Sequence, residues 1–257
     1  MTGRLASEPD PPDGAEPDAG HGAPASGGPG TPGGADHPLA ARGFLQTPRA
    51  AGVAGVLFAL LFGAIVVLFR SVLPLDPKAA DGWVTNAAHR RSLDVALALI
   101  PFCGIFFLWF LGAVRAHIGE AEDRFFATIV LGSGLLFTAM LFVFGALFGA
   151  LVSLAGLYDG DPPLALWRLG REISFNIAIV YAMRMGAVFM LSSSVIALRL
   201  RIHVRPVIVV GFVGALLLLV ASPTTPWLQL VFPVWVLLVS VNILVLAYRN
   251  TRARPAA

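Results

Sequence analysis

From about residue 51 to residue 248 the chain alternates between long apolar runs and short polar breaks. Six runs stand out, at Ala51 to Phe69, Leu93 to Val114, Ala127 to Leu151, Ile173 to Leu198, Pro206 to Ser222 and Trp227 to Tyr248. Each is close to the roughly 20 residues a helix needs to cross about 30 Å of hydrocarbon at 1.5 Å per residue. The third run stays apolar from Phe125 to Leu157, long enough to tilt but too short for two spans. Between the fifth and sixth lie only Pro223, Thr224, Thr225 and Pro226, the turn of a helical hairpin. The pattern predicts an all-α, polytopic transmembrane bundle of six spans within residues 49–249.

Composition sharpens this. Of the 257 residues 57% are hydrophobic and 13% charged, whereas a soluble domain carries roughly a quarter charged residues. The charges are concentrated outside the runs. Residues 1–48 are rich in Pro, Gly, Ala and Asp, with Glu8, Asp10, Asp13, Glu16, Asp18 and Asp36 against a single early base, Arg4. Such a segment has too few large apolar side chains to offset the entropy of ordering its backbone, which predicts a disordered tail. A secretory leader opens with basic residues followed at once by an apolar core. Here the first run starts near Ala51, so the tail is expected to stay on the protein. Residues 250–257 form a short basic tail.

Basic residues beside short loops favour the cytoplasmic side. With the N-terminal tail inside, that side holds Arg42, Arg49, Arg115, Arg124, Arg199, Arg201, Arg205, Arg249, Arg252 and Arg254. The other side holds Arg70, Lys78, Arg90, Arg91, Arg168 and Arg171. The bias predicts both termini in the cytoplasm. Trp83, after the turn at Asp76 and Pro77, suggests a short interfacial helix before the second span.

Arg184 is the one charged residue well inside a run. Insertion of Arg at mid-span costs roughly 2.5 to 3.5 kcal/mol, while Leu, Ile, Phe and Val each return about 0.3 to 0.6. The fourth run holds eleven of those residues, so it inserts without help. A guanidinium still brings five donors that lipid cannot satisfy, and such groups turn toward the protein or a wet cavity. At 100° per residue Tyr181, Asn176 and Ser192 share one broad polar sector with Arg184, and Ala178, Ala182 and Gly186 form a small-residue ridge on the opposite side. This predicts an intramembrane polar cluster of Arg184, Tyr181, Asn176 and Ser192, on a fourth helix central to the bundle. Partners expected for Arg184 are carbonyls freed by Pro101 or Pro233, the side chains of Ser133, Thr138, Ser240 and Asn242, water, or a bound anion.

Other positions have structural explanations. Gly55, Ala59 and Gly63, and Gly145 with Gly149, have the spacing of close helix packing, and Pro101, Cys103 and Gly104 that of a hinge. Cys103 is the single cysteine, so an internal disulfide is excluded. In the loop from His117 to Phe126, Glu122 and Asp123 suit the N-terminal dipole of the next helix. The histidines, His21, His37, His89, His117 and His203, lie in tails and loops with no metal-ligand spacing, and no HExxH, G-x-S-x-G or phosphate-binding glycine loop is present. The sequence therefore calls for no catalytic residue, no metal and no cofactor. The basic C-terminal end fits anionic lipid better than nucleic acid.

The block from Arg90 to Phe142, "RRSLDVALALIPFCGIFFLWFLGAVRAHIGEAEDRFFATIVLGSGLLFTAMLF", resembles one found in uncharacterised multi-pass membrane proteins of high-GC Gram-positive bacteria. The resemblance implies the bacterial plasma membrane and carries no functional residues. Two functions fit the sequence. One is a non-enzymatic role in interaction, assembly or regulation, with the lipid bilayer and a membrane protein partner or second copy as associates. The alternative is a transporter or channel that draws a small anionic solute to Arg184, Tyr181 and Asn176.

Overall fold

The computed structural model describes residues 48–73, 87–118, 124–155, 157, 163–200, 205–220 and 227–252. Among these, every regular element is helical: α1 Pro48–Val72, α2 Ala87–Ile118, α3 Arg124–Ala155, α4 Leu164–Leu200, α5 Arg205–Val220 and α6 Val231–Arg252, the last entered through a 3-10 turn at Leu228–Leu230. Five of the six helices are long and apolar enough to cross a membrane. The exception is α5, whose 16 residues rise about 24 Å at 1.5 Å each. This is the architecture of a multi-pass membrane protein. The expected N-terminal tail, the interfacial segment around Trp83, the acidic loop residues Glu120, Glu122 and Asp123, the Pro223 to Pro226 turn and the end of the C-terminal tail lie outside the described residues.

The helices overrun the apolar runs. Backbone groups at a helix end meet water and lipid headgroups rather than hydrocarbon, so a helix can continue through polar residues past the span. Thus α2 begins at Ala87, before its apolar run, and Asp94 is an exposed residue inside it. Likewise α4 starts at Leu164 rather than near Ile173, and its added first turns carry Arg168, Arg171 and Glu172. Pro101 is accommodated within α2 without ending it.

Each helix packs against the next in sequence, and α6 packs against α1, closing a ring of six. The fourth helix is therefore a member of the ring, in contact with α3, α5 and α6, rather than its centre. Phenylalanines fill the middle. Phe58 of α1, Phe107 of α2, Phe137 of α3, Phe189 of α4 and Phe232 of α6 are all fully buried. Their rings interlock, with centroids 4.8 Å apart for Phe58 and Phe107, 4.9 Å for Phe107 and Phe137, 4.7 Å for Phe137 and Phe232, and 5.4 Å for Phe107 and Phe189. Tilted and edge-on pairs of this kind contribute about 0.5 to 1.5 kcal/mol each beyond burial. A second aromatic layer, Phe69, Phe144, Phe148, Phe175 and Trp167, joins α1, α3 and α4.

Glycines let the helices approach. On α1, Gly52 lies under Leu244 and Gly55 against Ser240 and Phe110, so α6 and α2 close on the same stretch. Between α2 and α3, Gly104 lies against Phe142, Gly134 against Leu111 and Gly145 against Ile100. Gly149 makes only ordinary contact with Leu97, while Gly63, expected on a packing seam, faces open space. The opposite faces expose Val53, Leu60 and Val67 on α1 and Phe102 and Trp109 on α2, the surface a bilayer would wet.

The ends are pinned by cation-aromatic contacts. Arg49 at the start of α1 sits 5.2 Å from the ring centroid of Tyr248 near the end of α6, and Arg199 near the end of α4 sits 4.6 Å from that of Phe126 at the start of α3. The antiparallel pairing of Phe58 with Phe107 and of Gly55 with Phe110 places the end of α2 beside the start of α1. Residues 48 and 252 accordingly lie at the same end of the bundle.

Candidate functional site: the middle of the fourth helix

The fourth helix has three parts. Leu164–Phe175 is amphipathic, with Trp167 and Ser174 buried and Arg168, Leu169 and Glu172 exposed. Asn176–Ala182 is wound as a π-helix, and Met183–Leu200 returns to α geometry. A π-turn joins each N–H to the carbonyl five residues back, and such segments inside α-helices are frequent at functional sites.

The wider turn changes which side chains share a face. At 100° per residue Asn176 and Tyr181 would sit about 140° apart. A π-turn takes up more residues than an α-turn, so here the two are brought closer to one face. Both are exposed, Tyr181 by 57% of its surface. Arg184, one step further along, is half-buried. These three positions line an outward stripe that continues through Leu191 and Leu198, both exposed.

Arg184 answers its need for acceptors on its own helix. Its Nη1 donates to the carbonyl of Val180 at 3.3 Å, inside the widened segment, and the same carbonyl accepts the N–H of Met183. One of five donors is thereby used. Ser192 has left the cluster: it is buried, and its hydroxyl donates to the carbonyls of Val188 at 2.7 Å and Phe189 at 3.2 Å. The expected polar sector is thus divided, with Asn176, Tyr181 and Arg184 on the exposed stripe and Ser192 on the packed side.

Three of the side chains expected as partners for Arg184 make other contacts. Ser133 donates to the carbonyl of Ile129 at 2.6 Å and Thr138 to that of Gly134 at 3.0 Å. Ser240 faces Gly55 on α1. Back-bonding to the carbonyl four residues earlier is how a polar side chain satisfies itself where no water is at hand, and Arg184 adopts the same solution. On the ridge opposite, Ala182 and Gly186 are buried, and a side chain on Gly186 would meet the ring of Phe232 at 3.3 Å.

A second polar feature lies where α4, α5 and α6 meet. Ser194 and Trp235 are 1% and 3% exposed, and among the described residues neither the Ser194 hydroxyl nor the Trp235 indole N–H has a hydrogen-bond partner. Both press on Gly211 of α5. Nothing in the sequence singles them out, because a serine in a membrane helix ordinarily bonds its own backbone. Only the crossing of three helices brings the two groups to one glycine.

Among the described residues no three His, Cys, Asp or Glu side chains come together as a metal ion would require. Cys103 is buried, its Sγ 3.9 Å from the carbonyl of Phe58.

No family model matches the chain, and no curated protein or solved structure matches it.

Proposed function

We propose that this protein is a non-enzymatic integral protein of the bacterial plasma membrane, with both termini in the cytoplasm, that acts through its surfaces by associating with other membrane components. The observation that carries this is the interior of the ring. Five fully buried phenylalanines, one from each of α1, α2, α3, α4 and α6, interlock where a solute pathway would have to run. Of the polar groups in the middle of the bundle, Ser133, Thr138 and Ser192 bond their own helix, Asn176 and Tyr181 point outward, and Ser194, Trp235 and Ser240 are packed against glycines of neighbouring helices rather than around a cavity. A transporter needs the reverse arrangement, polar groups converging on a cavity between helices near the midplane.

Reconstitution in liposomes tests this directly. Uptake of labelled small anions is expected to match that of protein-free vesicles. Flux above that level that disappears in Arg184→Met would overturn the proposal in favour of the transport alternative. Terminal tags should be cleaved by protease in inverted membrane vesicles and protected in right-side-out spheroplasts.

A further inference from the structure

We infer that the outward stripe of α4 formed by Asn176, Tyr181 and Arg184 is a docking face for a transmembrane helix of a different protein, one that carries a carboxylate near mid-membrane. The inference rests on the proposed associative role and names its site and partner.

Depth is the first ground. Between Glu172 and Arg199, Arg184 is the only charged residue, and at 1.5 Å per residue it lies about 18 Å from one and about 22 Å from the other. Side chains at that depth on a lipid-facing stripe should be apolar, as Val53, Leu60 and Val67 are on α1. Instead the stripe presents an amide, a phenol and a guanidinium that, among the described residues, donates to one carbonyl. The π-turn is the second ground. It brings Asn176 and Tyr181, both exposed, closer to one face than an unbroken α-helix would. Polar side chains of this type join membrane helices by hydrogen bonds across the interface.

Charge complementarity selects the occupant. Arginine's planar fork matches a carboxylate with two parallel N–H bonds, and Tyr181 and Asn176 can donate to the same neighbour. A second copy inserted in the same direction cannot supply that group. Its acids on the described helices, Asp94 and Glu172, lie in the first three turns of α2 and α4, and Glu172 would lie about 18 Å from the depth of Arg184. The carboxylate must come from another chain.

The test places the full-length protein in phosphatidylcholine vesicles with synthetic Leu-rich transmembrane helices bearing Glu, Gln or Leu at their centre, and reads association by energy transfer. The Glu helix should associate about tenfold more tightly than the Leu helix, the scale of interhelical polar contacts in bilayers. Arg184→Met should abolish that preference and Arg184→Lys should keep part of it, while Leu60→Ala, on another exposed face, should leave it unchanged. Equal association of the Glu and Leu helices, or a preference that survives Arg184→Met, would sink the docking face. So would efficient disulfide cross-linking between copies bearing Tyr181→Cys, which would assign the stripe to self-association. Failure of this test without anion flux leaves the associative role in place, whereas Arg184-dependent flux removes both.

Discussion

Gly55 lies where α1 is closed on by two helices at once. A Cβ there would meet the hydroxyl of Ser240 on α6 and the ring of Phe110 on α2, whose Cδ2 and Cε2 would stand 2.8 and 3.0 Å away. The ring cannot easily retreat, being 1% exposed and stacked within 6.2 Å of Phe107 and 6.4 Å of Phe189. Eight residues along the same helix, Gly63 has nothing within 4 Å of the same position. The pair therefore separates packing from backbone propensity. Gly→Ala in a helix interior returns about 1 kcal/mol at both sites. Only at residue 55 is it opposed by overpacking of about 1 to 3 kcal/mol. At about 2 to 4 °C per kcal/mol for a chain of this size, Gly55→Ala should melt about 2 to 12 °C below Gly63→Ala. Gly63→Ala itself should equal or exceed the wild type. The chain supplies its own reporter, since Cys103 is the single cysteine, fully buried beside Phe58. A thiol-reactive dye in mild detergent will fluoresce as α1 leaves α2. Adding Ser240→Ala to Gly55→Ala removes one of the two obstructions and should recover part of the loss. Identical melting of the two glycine variants, or a lower midpoint for Gly63→Ala, would refute the assignment of α1's buried and exposed faces.

Three further outcomes can be checked with the same dye. Phe137→Ala opens a cavity among Phe58, Phe62, Phe107 and Phe232, and should cost about 3 to 5 kcal/mol, whereas Phe142→Ala, at a residue 38% exposed, should cost clearly less. At the α4, α5 and α6 crossing, Gly211→Ala would press on the Ser194 hydroxyl and on Trp235 Nε1, 2.7 Å from the added Cβ, and should lower the midpoint. Ser194→Ala deletes a buried hydroxyl without a partner and should be neutral or stabilising by about 1 kcal/mol.

The sequence by itself determined the solvent. Runs of spanning length fix where the helices are, because a backbone in hydrocarbon has to satisfy its own hydrogen bonds. It also marked Arg184 as the charged residue set deepest within a run, since its cost of burial is a property of the side chain. Which face of each helix turns inward could not be read in the same way. In a bilayer both faces are apolar, so Phe58 and Leu60, buried and exposed on one helix, look alike in the sequence. Shape decides instead: glycines where backbones approach, phenylalanines where the ring has to be filled. The composition of the polar cluster was also a tertiary decision. The 3.6-residue repeat grouped Ser192 with Arg184, but the π-turn at Asn176–Ala182 re-aimed Asn176 and Tyr181 while packing drew Ser192 inward. A change from four-residue to five-residue hydrogen bonding over two turns leaves no mark in residue type, because it is selected by what the neighbouring helices leave room for.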